Sequence, residues 1–366
     1  METTPREHCK ESMVPNETVF LTGFPGFIAS RLLRRLAAQG NSVLLLVHPA
    51  LISQAQLEIR EIADQTAAPI TNFRILEGDL TKPDLGLSSP DRDIASSESR
   101  IIFHLAALYD LAVARDLAIH VNVDGTHRVN EFARRIPDLR HYHYVSTCYV
   151  AGRRQGRILE TELRHEGGFR NHYEESKYLA ELSVDSLKAE LPVTIHRPSV
   201  VCGDSNTGVT AKYDGIYYLI RYLLRWPRVL SLFNIGNHEV RLNLVPVDFV
   251  VDAMVALSQD EHARGKTVQL ADSNPLTTHQ LCDTIARCLT GRGSKITVPA
   301  SLVQFTLMLP PSPAITGLPH NAVPYFFLNQ TYDTSEATRL LEAHGVECPP
   351  FASYAETIVE YAASHR

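Results

Sequence analysis

Cysteine is scarce in this sequence, and its spacing favours neither metal binding nor disulfide bonding. The 366 residues include six cysteines, and no two of them form a Cys-x-x-Cys pair. The cysteines stand at positions 9, 148, 202, 282, 288 and 348. Such scattered cysteines are typical of reduced thiols, so we expect a cytoplasmic protein with no metal site and no disulfide framework.

Long apolar runs and an excess of positive charge are missing as well. No stretch approaches the roughly 18 apolar residues of a membrane-spanning helix, so no transmembrane segment is expected. The formal net charge of −6 argues against a nucleic-acid partner. Residues 1–17 contain charges and prolines but no apolar core, which predicts a flexible tail and no signal peptide.

The first half of the chain opens with the pattern strand, glycine turn, helix, strand. Residues 19–21 and 43–47 are short apolar runs, and residues 27–39 have apolar positions at helical spacing. This is the context that a dinucleotide loop requires, because glycines let the backbone approach a pyrophosphate and the helix N-terminus offers free N–H groups. The predicted cofactor contacts of this loop are Thr22, Gly23, Phe24, Pro25, Gly26, Phe27 and Ile28.

The end of the second predicted strand bears on the choice of dinucleotide. Folds that prefer NAD usually place Asp or Glu there to bind the ribose 2′-hydroxyl. Residues 46–50 contain neither, whereas His48 could supply positive charge to a 2′-phosphate. Arg31, Arg34 and Arg35 on the first helix are alternative sources of that charge. We therefore expect NADPH as the cofactor, with NADH possible.

Later predicted strands end at further candidate residues. These strands lie at residues 73–76, 101–105, 142–146 and 193–196. Residues 82–99 are rich in Pro, Ser and Asp and predict a loop. Thr147 directly follows the strand at 142–146. Its hydroxyl should face the crevice at the carboxyl ends of the strands, where α/β folds bind ligands.

Tyr173 and Lys177 are four residues apart and share one face of a predicted helix. A free tyrosine has a pKa of about 10, and a nearby ammonium group favours the phenolate. Such a phenol can deliver a proton to a carbonyl oxygen as hydride arrives. A single Tyr-x-x-x-Lys pair is a weak signal in a chain with 14 tyrosines. It gains weight from Thr147 and from the glycine turn.

Taken in order, these pieces resemble the extended short-chain dehydrogenase/reductase family. The resemblance rests on residues 22–29, 145–147, 173–177 and 197–199, and it covers roughly residues 18–272. It implies an α/β fold with a Rossmann-type doubly wound parallel sheet. It also implies a catalytic unit formed by Thr147, Tyr173 and Lys177.

The same resemblance implies additional cofactor contacts. Asp79 and Leu80 would lie beside the adenine. Asn122 would either pin the sheet or hold a proton-relay water, and the structural role is favoured. The remaining contacts would be a wall of small residues and a turn under the nicotinamide: Leu105, Ala106, Ala107, Arg197, Pro198, Ser199 and Val200.

The second half of the chain breaks the strand–helix alternation. Residues 216–224 are aromatic and apolar and form either a core helix or a substrate wall. Residues 298–330 combine apolar side chains with prolines and form either a mobile lid or ordinary packing. Candidate substrate contacts are Cys148, Tyr149, Tyr218 and Phe305. Cys148 is expected to pack against its neighbours, since no histidine supports a thiolate nucleophile.

Two domains are expected within this length. A cofactor domain would comprise residues 18–203 and 243–272. A smaller, mixed substrate-binding domain would comprise residues 204–242 and 273–366.

Four motifs most resemble the fatty acyl-CoA reductase and thioester-reductase branch of the family. They lie at residues 21–27, 104–107, 145–147 and 243–248. The resemblance implies reduction of an acyl thioester on coenzyme A or a carrier protein to an aldehyde or alcohol. The partners would be a hydrophobic or thioester substrate and, in the second case, an acyl carrier protein.

Three other functions remain open at this stage. The first is reduction of a ketone or aldehyde in a hydrophobic metabolite, as in the dihydroflavonol-reductase branch. The second is nucleotide-sugar epimerisation or dehydration. The third is redox sensing without catalysis, which an intact Thr147, Tyr173 and Lys177 set disfavours. The sequence leaves the oligomeric state and the depth of reduction open.

Overall fold

The structure is a computed structural model that describes three stretches of the chain, residues 17–225, 227–230 and 232–365. The tail predicted over residues 1–17 lies outside the described residues except for Glu17. That glutamate is buried, and its carboxylate pairs with the guanidinium of Arg140.

Strands and helices alternate along much of the described chain. The strands are β1 (Thr18–Thr22), β2 (Ser42–Val47), β3 (Phe73–Glu77), β4 (Ile101–His104), β5 (His141–Val145), β6 (Gly156–Ile158), β7 (Val193–Pro198), β8 (Val200–Cys202), β9 (Phe233–Gly236), β10 (Leu244–Pro246), β11 (Thr267–Leu270), β12 (Ile296–Pro299) and β13 (Gln330–Tyr332). The helices are α1 (Phe27–Ala38), α2 (Ile52–Thr66), α3 (Ser89–Glu98), α4 (Arg115–Ala118), α5 (Gly125–Ala133), α6 (His172–Asp185), α7 (Ile216–Arg225), α8 (Pro227–Leu230), α9 (Val247–Ser258), α10 (Thr278–Thr290), α11 (Ala300–Leu307), α12 (Ser312–Thr316), α13 (Ser335–Glu342) and α14 (Phe351–Ser364).

Seven parallel strands form the central sheet in the order β3-β2-β1-β4-β5-β7-β11. The chain moves outward from β1 to β3 and then returns to place β4 on the other side of β1. The strand order therefore reverses between β1 and β4, where Thr22 lies opposite His104. Sheets of this kind bind ligands outside the carboxyl ends of the strands at such a reversal. The topology confirms the predicted α/β class and the Rossmann-type doubly wound sheet.

Helix α1 leads away from the glycine turn and presents one apolar face to the sheet. Its buried side chains include Leu32, Leu33 and Leu36, which recur at helical spacing. Fully burying each leucine stabilises the fold by about 1.5–3 kcal/mol. The helix ends before Gly40, whose φ of 79° suits the reversal into β2.

The loop predicted over residues 82–99 is partly wrong, because α3 occupies its second half. Ser88 caps this helix by accepting a hydrogen bond from the backbone N–H of Asp91. Pro90 lies in the first turn, where its missing N–H costs no helical hydrogen bond. The composition that suggested a loop is therefore also a helix-start signal.

The described residues form two main apolar cores. One surrounds the central sheet with helices α1, α2 and α9, and continues on the other face of the sheet. The other is built from helices α7, α10 and α14. Helix α13 contributes Ala337, Leu340 and Leu341 to the sheet core, so the C-terminal stretch of the chain packs into both cores.

Among the described residues, no helix has the length and apolar character needed to cross a bilayer. Within the same stretches, no three His, Cys, Asp or Glu side chains cluster as they would around a metal ion. Five of the cysteines are free thiols.

Candidate active site

A cavity of about 1180 Å³ opens at the carboxyl ends of β1, β4 and β5. Its lining begins at the glycine turn, continues past the ends of these strands and reaches the first turns of α6. The opposite wall comes from residues 210–218 and 319–326. The sheet reversal and the second core therefore enclose one continuous site.

The glycine turn has the geometry that a pyrophosphate requires. Gly23 has a φ of 92°, and a Cβ there would lie 2.8 Å from the backbone nitrogen of Ala106. Gly26 is the N-cap of α1, and no side chain caps the helix. The first turn of α1 contains no acidic residue. Its free N–H groups and the helix dipole thus suit an anionic ligand, and the residues present fit a dinucleotide.

Thr147, Tyr173 and Lys177 all line this cavity. Thr147 directly follows β5. Tyr173 and Lys177 lie on α6, which begins where the Asn171 side chain accepts a hydrogen bond from the backbone N–H of Glu174. The strand end and the helix start thereby bring together the three residues that the sequence placed in one catalytic unit.

Burial dominates the protonation of this group. It raises the pKa of Tyr173 well above the ordinary value, while the hydrogen bond with Thr147 acts in the opposite direction. Burial also lowers the pKa of Lys177 to about 7, against the raising effect of Glu181. The Lys177 ammonium donates to the Tyr144 hydroxyl at 2.9 Å and to the carbonyl oxygen of Val145 at 2.8 Å. A lowering of the Tyr173 pKa by Lys177 therefore stays a prediction.

Most of the predicted cofactor contacts line the cavity. They are Thr22, Gly23, Phe24, Gly26, Phe27, Ile28, His48, Asp79, Leu80, Leu105, Ala106, Ala107, Tyr173, Lys177, Pro198, Ser199 and Val200. Three others do not, and each has a structural reason. Pro25 lies in the turn itself. The Asn122 amide bonds to the backbone of Leu108 and to the Ser176 hydroxyl. The Arg197 guanidinium is buried beside Glu181, 2.6 Å from its carboxylate.

The charge candidates for a 2′-phosphate are separated by the structure. His48 lines the cavity with its ring more than half exposed, 4.0 Å from a carboxylate oxygen of Asp79. Arg31 donates to the carbonyl oxygens of Phe27 and Val209. Arg35 pairs with Asp252. Neither arginine is a lining residue of the described cavity, so His48 is the better placed of these candidates.

Two of the four predicted substrate contacts, Tyr149 and Tyr218, line the cavity. Cys148 does not. Its thiol is buried and donates to the Arg197 carbonyl oxygen, and burial raises its pKa. This supports packing over a nucleophilic role.

Phe305 is also misplaced by the sequence prediction. Its side chain is 65% exposed on the outer surface of α11, a helix with no buried residue. The part of the 298–330 segment that reaches the cavity is residues 319–326, through Pro319, Asn321, Ala322, Tyr325 and Phe326. The proline-flanked apolar pattern marked the correct segment but not the correct side chains.

Sequence reasoning missed a polar group beside the catalytic tyrosine. The Tyr109 ring meets the Tyr173 ring edge-on at 5.0 Å, and the Lys212 ammonium lies 4.6 Å from the Tyr109 ring centroid. Tyr109 hydrogen-bonds to Asp214, whose pKa is raised by burial. Tyr109 follows the small-residue motif closely enough to have been considered. Lys212 and Asp214 come from a loop that carries no local signal.

Tyr325 was missed as well. Its hydroxyl donates to the fully buried carboxylate of Glu174 and accepts from the Asn171 amide at 2.7 Å. Its ring lies 4.6 Å from that of Tyr149. The C-terminal half of the chain is thereby tied to the first turn of the catalytic helix.

The glycine turn and the Thr147, Tyr173 and Lys177 group both fall within one family match. Residues 21–254, well over half of the chain, match the family model described as "Male sterility protein", an NAD-binding family. The chain belongs to the male sterility protein family. This membership confirms the resemblance to extended short-chain dehydrogenases/reductases and to their acyl-reductase branch.

Two curated relatives of this family member illustrate the branch. Fatty acyl-CoA reductase wat of Drosophila melanogaster is 26% identical over 279 residues, which are 66% of this chain and 54% of that protein. A linear gramicidin synthase of Brevibacillus parabrevis is 26% identical over 276 residues, which are 70% of this chain and 5% of that protein. The chain thus spans about half of the first relative and a small part of the second.

Solved structures share the fold of this male sterility protein family member. The terminal R domain of the myxalamid PKS-NRPS pathway superposes with a TM-score of 0.79 at 24% identity, covering 95% of this chain and 91% of that chain. A thiolation-reductase di-domain from an archaeal non-ribosomal peptide synthetase gives 0.75 at 18% identity, covering 96% and 76%. At these identities the likeness establishes the fold.

Proposed function

We propose that the chain is an NAD(P)H-dependent reductase that converts an acyl thioester, carried by coenzyme A or a carrier protein, into an aldehyde or alcohol. One observation carries this proposal. Thr147, Tyr173 and Lys177 line the same cavity as the uncapped N-terminus of α1. A proton donor and a dinucleotide cradle therefore meet in one site.

Each part of the site has a role in this reaction. Gly23, Gly26 and the first turn of α1 would hold the pyrophosphate. A bound nicotinamide dinucleotide supplies the hydride. Tyr173, kept protonated by burial, donates its proton to the substrate oxygen. Thr147 holds that oxygen by a hydrogen bond. Such general acid catalysis contributes a factor of roughly 10²–10⁴ to the rate.

The substrate end of the cavity supports an apolar acyl group. Tyr149, Tyr218 and Phe326 contribute aromatic walls, and Leu242 adds an aliphatic one. Aromatic walls provide large apolar area at little entropic cost. The names of the two relatives, a fatty acyl-CoA reductase and a gramicidin synthase, support a thioester as the reacting group.

The cofactor preference and cellular setting belong to the same proposal. Residues 46–50 lack a carboxylate and His48 lines the cavity. These two observations support NADPH over NADH. A cytoplasmic location remains an expectation from the scattered cysteines.

One substrate panel tests the function. The purified chain is mixed with NADPH or NADH and with acyl-CoAs, carrier-bound thioesters, hydrophobic ketones or nucleotide sugars, and products are identified by mass spectrometry. We expect thioester-dependent oxidation of the reduced cofactor with release of thiol and aldehyde or alcohol. Turnover of ketones without thioesters would support the dihydroflavonol-reductase-like alternative, and turnover of nucleotide sugars the epimerase alternative. Cofactor binding with no turnover on any class would indicate a regulator.

A further inference from the structure

A chain of buried polar side chains runs from Lys177 through the sheet to the glycine turn. Its members come from four elements: Tyr144 on β5, Thr126 on α5, His104 on β4 and Thr22 on β1. Each of them, like Lys177, is at most 2% exposed. Both ends of the chain, Lys177 and Thr22, line the cavity.

Every step of this chain is a hydrogen bond. Lys177 donates to the Tyr144 hydroxyl at 2.9 Å, and Tyr144 hydrogen-bonds to Thr126. The Thr126 hydroxyl lies 3.0 Å from Nε2 of His104, and Nδ1 of His104 lies 2.8 Å from the Thr22 hydroxyl. Between the two ends stand only groups that both donate and accept hydrogen bonds, since a neutral imidazole and a hydroxyl each do so.

The charged and titratable groups around Lys177 make its protonation sensitive to this chain. On its own helix it faces Glu181, which raises its pKa and is itself bound to Arg197 and the Ser146 hydroxyl. From β5 it faces the Tyr144 ring and hydroxyl. From β4, His104 has its pKa lowered to about 3 by burial and by the charge of Lys177.

Asn122 does not offer a competing route from Lys177 through protein atoms. Its amide group donates to the Leu108 carbonyl oxygen and to the Ser176 hydroxyl, and its oxygen accepts from the Leu108 N–H. The amide is thus occupied in pinning α6 to the segment after β4. The path through Tyr144 is the continuous one among the described side chains.

We propose that Tyr144, Thr126, His104 and Thr22 form a proton-return path to Lys177, with His104 and Thr126 as positioning residues that act through it. The inference rests on the proposed function. Each hydride transferred to a carbonyl carbon requires one proton on the product. Tyr173 delivers that proton, and one proton entering at the Thr22 end restores the charge of the Tyr173 and Lys177 pair.

The sharpest test breaks the path at one atom. Thr126→Val removes the hydroxyl while preserving side-chain shape, and Thr126→Ser keeps the hydroxyl. We expect Thr126→Val to lower kcat at least about tenfold, to raise the solvent deuterium isotope effect on kcat, and to leave the KM for the cofactor within about twofold. Thr126→Ser should retain most of the parent kcat and its isotope effect. Equal losses in both variants, or none in Thr126→Val, would overturn the path.

A second pair of variants separates the path from ordinary loss of a buried hydrogen bond. Tyr144→Phe removes the acceptor of the Lys177 ammonium. Tyr142→Phe is the matched control, because Tyr142 lies two residues earlier on β5, is equally buried and donates to Asn130 outside the site. Tyr144→Phe should move the basic limb of the kcat–pH profile to lower pH by about one unit, since losing an acceptor disfavours the ammonium form. Tyr142→Phe should leave that limb in place. A shift of equal size in both variants contradicts the proposal.

A spectroscopic measurement makes the result independent of the substrate. In the protein without cofactor, the imidazole ¹⁵N resonances of His104 should follow the titration of Lys177 near pH 7, and Thr126→Val should abolish this response. His104 signals that ignore this titration in the parent protein would overturn the path even if the thioester reaction is established. A normal response together with an inactive substrate panel would instead overturn the proposed function.

Discussion

At the scale of single residues, burial sets the chemistry of Tyr173. Its pKa is raised because the phenolate would lose hydration inside the protein. The group is therefore loaded with the proton that the reaction needs. The lysine one turn later, with a pKa lowered to about 7, is the member of the pair that titrates near neutrality.

Tyr173→Phe should lower kcat by at least about a hundredfold, because general acid catalysis contributes roughly 10²–10⁴. Cofactor affinity should stay within a few-fold, since the glycine turn holds the dinucleotide. Steady-state kinetics and a cofactor titration measure the two effects. Tyr178→Phe, on the same helix, is the control. Near-normal turnover in Tyr173→Phe would remove Tyr173 from the mechanism.

His48 should decide part of the cofactor preference. We expect a higher kcat/KM with NADPH than with NADH, because no carboxylate at residues 46–50 repels a 2′-phosphate. His48→Ala should reduce kcat/KM for NADPH several-fold and leave NADH nearly unchanged. His120→Ala changes another histidine of the cavity wall and should not discriminate between them. A preference for NADH in the parent chain contradicts the strand-end argument.

Tyr218 and Phe305 form a matched pair for the substrate wall, since one lines the cavity and the other is exposed. Along a series of acyl-CoAs, each buried methylene should contribute about 0.8 kcal/mol, close to fourfold in affinity, until the pocket is full. Tyr218→Ala should move the preferred chain length, and Phe305→Ala should not. The measurement is kcat/KM along the series. A flat series would reject an apolar acyl pocket.

At the scale of elements, the first turn of α6 is where the two halves of the chain meet. Glu174 is fully buried and receives the hydroxyl of Tyr325, and Arg170 lies 3.4 Å away. A buried carboxylate is stable only with such partners. The helix that positions Tyr173 thus depends on residues more than a hundred positions later.

Tyr325→Phe should lower the free energy of unfolding by about 1–3 kcal/mol, because it leaves the buried Glu174 carboxylate short of a donor. Tyr332→Phe is the control, since the Tyr332 hydroxyl bonds to the neutral amide of Gln330. Urea unfolding of both variants measures the difference. An equal cost in the two variants would show that Glu174 gains nothing special from Tyr325.

At the scale of the whole molecule, four buried histidines make the fold sensitive to acid. Burial lowers the pKa of His104 and His196 to about 3 and that of His141 to about 4, and it holds His143 well below 6.5. His143 and His196 lie 2.9 Å apart. Protonating either would place charge beside its neighbour in the core of the sheet.

Stability should therefore fall as the pH drops below about 6.5. The unfolded chain binds protons there while the folded histidines do not, so the folded state loses about 1.4 kcal/mol per pH unit for each histidine. Glu160 acts oppositely between about pH 7 and 4.5, because burial raises its folded pKa to about 7. Urea unfolding at pH 7.5 and 5.5 gives the net slope. His196→Gln should reduce it, and exposed His172→Gln should not. A stability that is flat over this range contradicts the argument.

The sequence by itself determined the sheet class, the glycine turn and the positions of Thr147, Tyr173 and Lys177. These depend on local order: apolar strands, glycines at a strand end, and two residues one helical turn apart. Helix α3 was also encoded locally, by a serine cap and a proline, although composition alone suggested a loop.

Only the tertiary structure decided which side chains complete the site. Tyr109, Asp214 and Tyr325 reach it from segments with no shared local pattern, because the strand reversal and the second core bring distant loops together. The same packing turned Phe305 outward, buried Arg197 and Cys148 behind the site, and joined Lys177 to Thr22 through Tyr144, Thr126 and His104. Local sequence sets what a residue can do, and burial and long-range contact set where it does it.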